Sequence, residues 1–195
     1  LELWPEGAPG TAASTTPETN QATDKDDIAG RPIIRLGNVS RPAITLYQPK
    51  MNPTGQAVLV FPGGGYTILA MDLEGTEICD WLNSIEIACV LLKYRVPKSG
   101  PYPKYSAALQ DAQRALGMVR EHAPEWQINP GRIGVLGFSA GAHLAAALST
   151  HFDQHLYAPL DASDRLSCRP DFALIIYPGY LVFSEQNYTF NPDLK

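Results

Sequence analysis

Cysteine is scarce and odd in number: Cys79, Cys89 and Cys168 are the three among 195 residues. They cannot pair completely and lack zinc-ligand spacing, which argues against a disulfide scaffold and a structural zinc site. Cys89 sits in an apolar run and reads as a buried small hydrophobe. Charge is sparse as well: 18% of residues are charged, and 15 basic against 20 acidic residues leave a formal charge of −5. No Lys/Arg cluster occurs, so the basic face of a nucleic-acid binder is missing. No apolar run approaches the ~20 residues of a membrane helix, and no bilayer span is expected. The opening Leu1-Glu2-Leu3-Trp4-Pro5 carries neither a basic leader nor a long apolar stretch. It suits a cytosolic protein or a mature one whose leader was removed, the secreted or periplasmic mature form being favoured. The triplets Asn38-Val39-Ser40 and Asn187-Tyr188-Thr189 would matter only in a glycosylating pathway.

What is present suits one domain with a sizeable core, since hydrophobic residues make up 45% of the chain. Residues 1–32 read as an extended arm: from residue 5 they are rich in Pro, Gly, Thr, Ala and Asp, with little apolar periodicity. Residues 33–195 read as the folded domain. Ile44-Thr45-Leu46-Tyr47 alternates and predicts an edge strand. Ala57–Phe61, Ile87–Leu92 and Arg132–Leu136 are continuous apolar runs, the pattern of strands buried on both faces of a parallel sheet, and Phe172–Tyr177, apolar throughout, predicts a last strand. Between them, residues 72–85 predict a helix with Ile78, Trp81, Leu82 and Ile85 on its apolar face. Residues 105–123 predict a second, with Leu109, Ala112, Leu116, Val119 and Ala123 inward and Gln110, Gln113, Arg114 and Glu121 turned away. A third follows over Ala142–Thr150. Trp81 is expected in the core, Trp126 against the connection after the second helix, and Glu86 in solvent at a helix-to-strand turn. Alternating strands and helices argue for an α/β fold with a doubly wound, mainly parallel sheet.

Two motifs carry chemistry. Gly137-Phe138-Ser139-Ala140-Gly141 fits G-x-S-x-G, directly after an apolar strand and before a helix. A serine on such a sharp turn is exposed in strained geometry, while small neighbours let backbone approach closely. The helix after it directs free N–H groups towards the reacting centre, and the Ala140 amide can donate to an oxyanion. The alternative is a structural helix cap at Ser139. Pro62-Gly63-Gly64-Gly65-Tyr66 follows another buried strand. It lacks the Gly-Lys-Ser/Thr of a phosphate-binding loop and the spacing of a dinucleotide fingerprint. Paired with the serine turn, Gly64 and Gly65 become candidates for the rest of an oxyanion hole. Tyr66 either lines an acyl pocket or packs under the loop, and Arg95 and Asp111 read as a structural ion pair.

These stretches make the chain resemble the α/β-hydrolase superfamily. Within it, the chain is similar to the acetylxylan-esterase-like (BD-FAE-like) small esterases, related to the prolyl-oligopeptidase and hormone-sensitive-lipase groups. The match includes Leu3–Gly10, Phe61–Tyr66, Tyr94-Arg95-Val96-Pro97, Asp111–Ala115, Asn129–Gly134, Gly137–Leu144 and Ile176-Tyr177-Pro178. Pro62 stands where lipase-like relatives carry His before their glycines. The resemblance implies hydrolysis of short-chain esters, often acetyl groups on plant polysaccharide, through Ser139 with Gly64, Gly65 and Ala140 as oxyanion donors. It implies a small ester or acylated carbohydrate as substrate, and neither a metal nor an organic cofactor.

A base is harder to find. In this fold the acid and His follow the serine, past two further strands. His122, His143, His151 and His155 are not where the fold places a base, and read as surface or capping residues. Asp153, Asp161, Asp164, Asp171, Glu185 and Asp193 read as solvated loop acids. The α/β-hydrolase fold is therefore expected to lack its last strands and helices here, with acid and His beyond residue 195. A missing C-terminal segment, or a second polypeptide, would complete the sheet. A serine peptidase and a catalytically inactive hydrolase-fold binding module remain open beside the esterase.

Overall fold

Five strands lie side by side in the order β3-β6-β4-β7-β8 in the computed structural model, which describes residues 1–10, 15–51, 53–97, 105–182, 189–191 and 194. They are β3 (Ala43–Tyr47), β4 (Ala57–Phe61), β6 (Ala88–Lys93), β7 (Ile133–Phe138) and β8 (Ala173–Ile176). Edge strand β3 runs antiparallel to β6, and the other neighbours are parallel. Every residue of β4 is buried. The reason is a helix layer on each face. Ala57, Leu59 and Phe61 share one core with helices α2 (Ser106–His122) and α3 (Ala140–Thr150). Val58 and Val60 share the other with Cys79 and Leu82 of α1 (Glu77–Ser84).

Chain order makes β4 a switch point. The chain leaves β4 for β6 on one side, then crosses back so that β7 pairs with β4 on the other, Phe61 opposite Gly137. Loops leaving the carboxyl ends of β4 and β7 therefore diverge around a crevice, the place where open α/β sheets bind ligands. Pro62–Tyr66 and Ser139 are the residues at those two ends.

A second sheet of three short antiparallel strands, β1 (Thr19–Asn20), β2 (Arg35–Gly37) and β5 (Ile68–Ala70), lies outside the sequence expectations. Strands of two or three residues are too short for alternation to show. Leu3 and Trp4 are buried, and the Trp4 indole donates to Asp111 Oδ1 at 2.7 Å.

Several expectations need correction. Trp81 is 50% exposed, not core. Ile85, expected on the same face, is 45% exposed, and α1 turns Cys79 and Leu82 to the sheet with Ile78 packed beside them. Gln110, Gln113 and Arg114 are buried rather than turned outward. α2 is covered on its far side too, and each polar group finds a partner: Gln113 Nε2 donates to the His151 and Gln154 carbonyls, and Arg114 pairs with Asp161 and Asp164. Cys89 is bonded to Cys79, a disulfide joining β6 to α1 inside the core on that face, while Cys168 is free and buried. Glu86 is exposed at φ 65°, as its place in a tight turn predicts. Trp126 is half-buried and stacks on His122. No helix among the described residues is long and apolar enough to cross a membrane.

Candidate active site

Ser139 is the single residue between β7 and α3, at φ 50° and ψ −112°. A non-glycine side chain rarely tolerates such backbone, and holding it there costs about 1–3 kcal/mol. The surroundings hold it on both sides: the Ser139 amide donates to the Ile176 carbonyl, and its carbonyl accepts from the Gly179 amide, each at 3.1 Å. The motif glycines serve close approach. A side chain on Gly141 would collide with the Phe61 carbonyl, and one on Gly137 with the Gly141 carbonyl, so β4, β7 and α3 meet backbone to backbone. Ser139 is half-buried. Ala140 opens α3, so its amide is among the four that have no acceptor within the helix.

The glycine loop stands beside it. A Cβ on Gly63 would lie 3.2 Å from Ser139 Cβ. Each carbonyl from Pro62 to Gly65 is engaged, as is the Gly63 amide. The Pro62 carbonyl accepts from the buried Tyr94 hydroxyl at 2.5 Å, and the Gly63 amide donates to Glu74 Oε2 at 2.7 Å. The Gly63 carbonyl accepts from the Ala70 amide, and the Gly64 carbonyl from the Thr67 and Ile68 amides. The Gly65 carbonyl accepts from the Tyr180 hydroxyl at 3.3 Å. Among the described residues, the amides of Gly64, Gly65 and Tyr66 have no acceptor. Gly64 has φ +134°, a conformation that L side chains rarely adopt, and the Ile68 carbonyl fills the space a side chain would need.

Beneath the loop lies a buried group that the sequence reading misplaced. His143, four residues past Ser139 on α3, is 1% exposed, so it is neither a surface nor a capping residue. Its Nδ1 is 2.8 Å from the Tyr66 hydroxyl, and Asn191 Nδ2 lies 3.4 Å from Nε2. Rings of Tyr66, Tyr105 and Tyr180 surround it. Burial pushes the Tyr66 phenol well above its ordinary range, with the neighbouring tyrosines adding to the shift. Of the two roles left open for Tyr66, packing under the loop is the observed one. The i, i+4 spacing from Ser139 put His143 on the same helix side, but nothing local revealed that the glycine loop covers it.

The remaining candidates disperse. His151 is the residue that ends α3, and His122 lies at the end of α2, hydrogen-bonded to Glu125. Asp164 is buried, pairing with Arg114 at 2.8 Å and accepting from the Tyr157 hydroxyl at 2.7 Å, and Asp161 pairs with Arg114 at 2.6 Å. Asp164 is therefore not a solvated loop acid, because the buried Arg114 needs an anionic partner, whereas Asp161 is paired but half in solvent. Asp171 accepts from the Ile133 amide. Arg95 and Asp111 form the expected ion pair at 2.8 Å, fully out of solvent. Glu185, Asn187 and Asp193 lie outside the described residues. Among the described residues no group of three or more His, Cys, Asp and Glu could hold a metal ion.

Comparison with known proteins agrees with this architecture. A family model described as alpha/beta hydrolase fold matches residues 58–193, spanning both loops and the serine turn. The chain belongs to the α/β-hydrolase fold family. It is 32% identical over 145 residues to an acetylxylan esterase of Xylanibacter ruminicola, covering 74% of this chain and 27% of that protein. It is 31% identical over 121 residues to endo-1,4-beta-xylanase B of Butyrivibrio fibrisolvens, covering 62% and 19%. Among solved structures, an acetyl ester-xyloside bifunctional hydrolase from Caldicellulosiruptor lactoaceticus superposes with a TM-score of 0.61 at 38% identity, over 83% of this chain and 55% of that one. The chain thus spans about a quarter or less of these two curated relatives and about half of the solved one.

Proposed function

We propose that this chain carries the nucleophile and oxyanion hole of a serine carboxylesterase acting on short-chain, acetyl-like esters. The observation that carries the reading is the strained Ser139 beside the open Gly64 and Gly65 amides, in a loop whose Pro62, Gly63, Gly64 and Gly65 carbonyls are all hydrogen-bonded. Ser139 Oγ attacks the ester carbonyl carbon as a general base takes its proton. The carbonyl oxygen becomes an oxyanion held by the amides of Gly64, Gly65 and Ala140. Collapse expels the alcohol, which takes back the proton, and leaves an acyl-serine. Water, activated by the same base, then releases the carboxylic acid. The relatives' names point to acetyl groups on xylan-type polysaccharide as the substrate class.

No histidine among the described residues is placed for the proton transfer. His143 is sealed beneath the glycine loop, and His151 and His122 sit at the far ends of α3 and α2. We assign the base and its orienting acid to chain outside these 195 residues, a further segment or a second polypeptide that also covers β8. That strand has a sheet neighbour on one side only among the described residues and exposes Leu174 and Ile175. This absence of a base favours a second reading, an inactive hydrolase-fold binding module. Hydrolysis of p-nitrophenyl acetate by the full-length gene product separates the two. The esterase predicts that Ser139→Ala loses at least ~10⁴-fold in kcat/KM. Equal rates for the two proteins would overturn it.

A further inference from the structure

Glu74 belongs to neither loop that forms the crevice, yet it is joined to both sides of it. It sits in the π-helical turn Asp72–Thr76 ahead of α1. Its Oε2 accepts from the Gly63 amide at 2.7 Å, and its Oε1 accepts from the Tyr177 hydroxyl at 2.5 Å. Tyr177 is the first residue after β8, at φ 36°. The end of β8 and this turn grip Ser139 by its backbone, through the Ile176 carbonyl and the Gly179 amide. Gly63 in turn lies against Ser139 on the other side. The contacts close a circuit: Ser139, the turn after β8, Tyr177, Glu74, Gly63, and back to Ser139.

The chemistry of that link is particular. An ionised carboxylate offers two oxygens and forms hydrogen bonds roughly twice as strong as neutral ones, so one side chain can fix two segments. Burial and the bond to Glu74 push the Tyr177 phenol up, which keeps it a donor. The segment being held needs holding. Three successive glycines lose more conformational freedom than any other residues, and amides misplaced by ~1 Å from a reacting centre cost about 100-fold in rate.

We propose that Glu74 is a positioning residue: its carboxylate clamps the glycine loop to the turn after β8 and so keeps the Gly64 and Gly65 amides aimed at the carbonyl that Ser139 attacks. The proposal rests on the esterase reading for its kinetic consequence, and on geometry alone for the clamp. Glu74 acts through Gly63 and is not required to touch substrate.

The test uses the full-length protein with Glu74→Ala, Glu74→Gln, Tyr177→Phe, the Ala/Phe double variant and Ser139→Ala. Steady-state kinetics on p-nitrophenyl acetate are paired with hydrogen exchange of individual amides. Glu74→Ala is expected to lower kcat about 100-fold with KM moved less than threefold, and to speed exchange at Gly63 while the five-stranded sheet stays protected. Glu74→Gln keeps an oxygen for the Gly63 amide and should stay within about tenfold of the wild type. Tyr177→Phe should lose a few-fold alone and nothing further on top of Glu74→Ala, because it acts through the same carboxylate. A folded Glu74→Ala with wild-type kcat overturns the proposal, as does unchanged exchange at Gly63. A wild type no faster than Ser139→Ala ends the esterase reading instead. The exchange result then decides the clamp by itself: faster exchange confined to the glycine loop supports it, unchanged exchange overturns it.

Discussion

Two polar regions of this molecule are built on opposite terms. Around α2, charged groups are buried and partnered: Arg95 meets Asp111, the Trp4 indole and the Arg95 backbone amide also donate to Asp111, and Arg114 spans Asp161 and Asp164. At the carboxyl ends of β4 and β7, donors stand without acceptors and a serine is held in disfavoured backbone. The first arrangement is what stability demands, since a buried polar group without a partner costs about 1–3 kcal/mol. The second lies next to solvent, where the half-buried Gly64 and Gly65 amides stay open to water and, on the esterase reading proposed above, to a developing negative charge.

The comparison can be broken at either region. The largest effect is the loss of at least ~10⁴-fold in kcat/KM expected for Ser139→Ala, with the thermal midpoint nearly unmoved. Asp111→Ala should do the reverse. It strands a buried guanidinium and is expected to destabilise by about 3–5 kcal/mol, read from denaturant unfolding. A loss under 1 kcal/mol would show that Arg95 finds another anion. Gly141→Ala couples the two regions, because the new methyl strikes the Phe61 and Pro62 carbonyls. Overpacking of this kind costs about 1–3 kcal/mol, and activity should fall further than stability as the glycine loop is displaced. Tyr66→Phe removes one hydrogen bond to His143 and should cost about 1 kcal/mol, with faster amide exchange in the glycine loop as its signature.

The smallest effect is electrostatic. The hydrogen bonds from Arg114 hold the half-exposed Asp161 carboxyl below its ordinary range. A carboxylate with a depressed folded value contributes stability that is complete above its unfolded value of about 3.9. That contribution is lost as pH falls through the lower, folded value. Asp161→Asn should therefore flatten the acid limb of stability against pH and leave neutral-pH stability within about 1 kcal/mol. An unchanged acid limb would place that limb's origin elsewhere.

Much of the frame was legible in the residues. Strands β4, β6 and β7 are continuous apolar runs because both their faces are covered, and β3 alternates because it is an edge. The elbow at Ser139 was legible because G-x-S-x-G states a backbone requirement, not a preference. The misreadings share one cause. Gln110, Gln113 and Arg114 look like a solvated helix face, and only the segment 151–164 packed over α2 makes them interior. His143 looks like an ordinary helical histidine until the glycine loop closes over it. Trp81 shares helical spacing with Ile78 and Leu82, but the way α1 packs on the sheet turns Cys79 and Leu82 inward and leaves Trp81 in solvent. The Cys79–Cys89 bond was discounted because three cysteines counted as an unpaired set, whereas pairing depends on two elements meeting.

Local chemistry thus determined which segments become strands, where the chain must bend sharply, and which serine stands on the bend, since periodicity and glycine placement act over a few neighbouring residues. The tertiary structure alone decided which donors stay open beside that serine, that Glu74 reaches the glycine loop, and that His143 is sealed beneath it. Those outcomes depend on contacts between residues as far apart in the chain as Glu74 and Tyr177, and only the order of strands in the sheet brings such residues together.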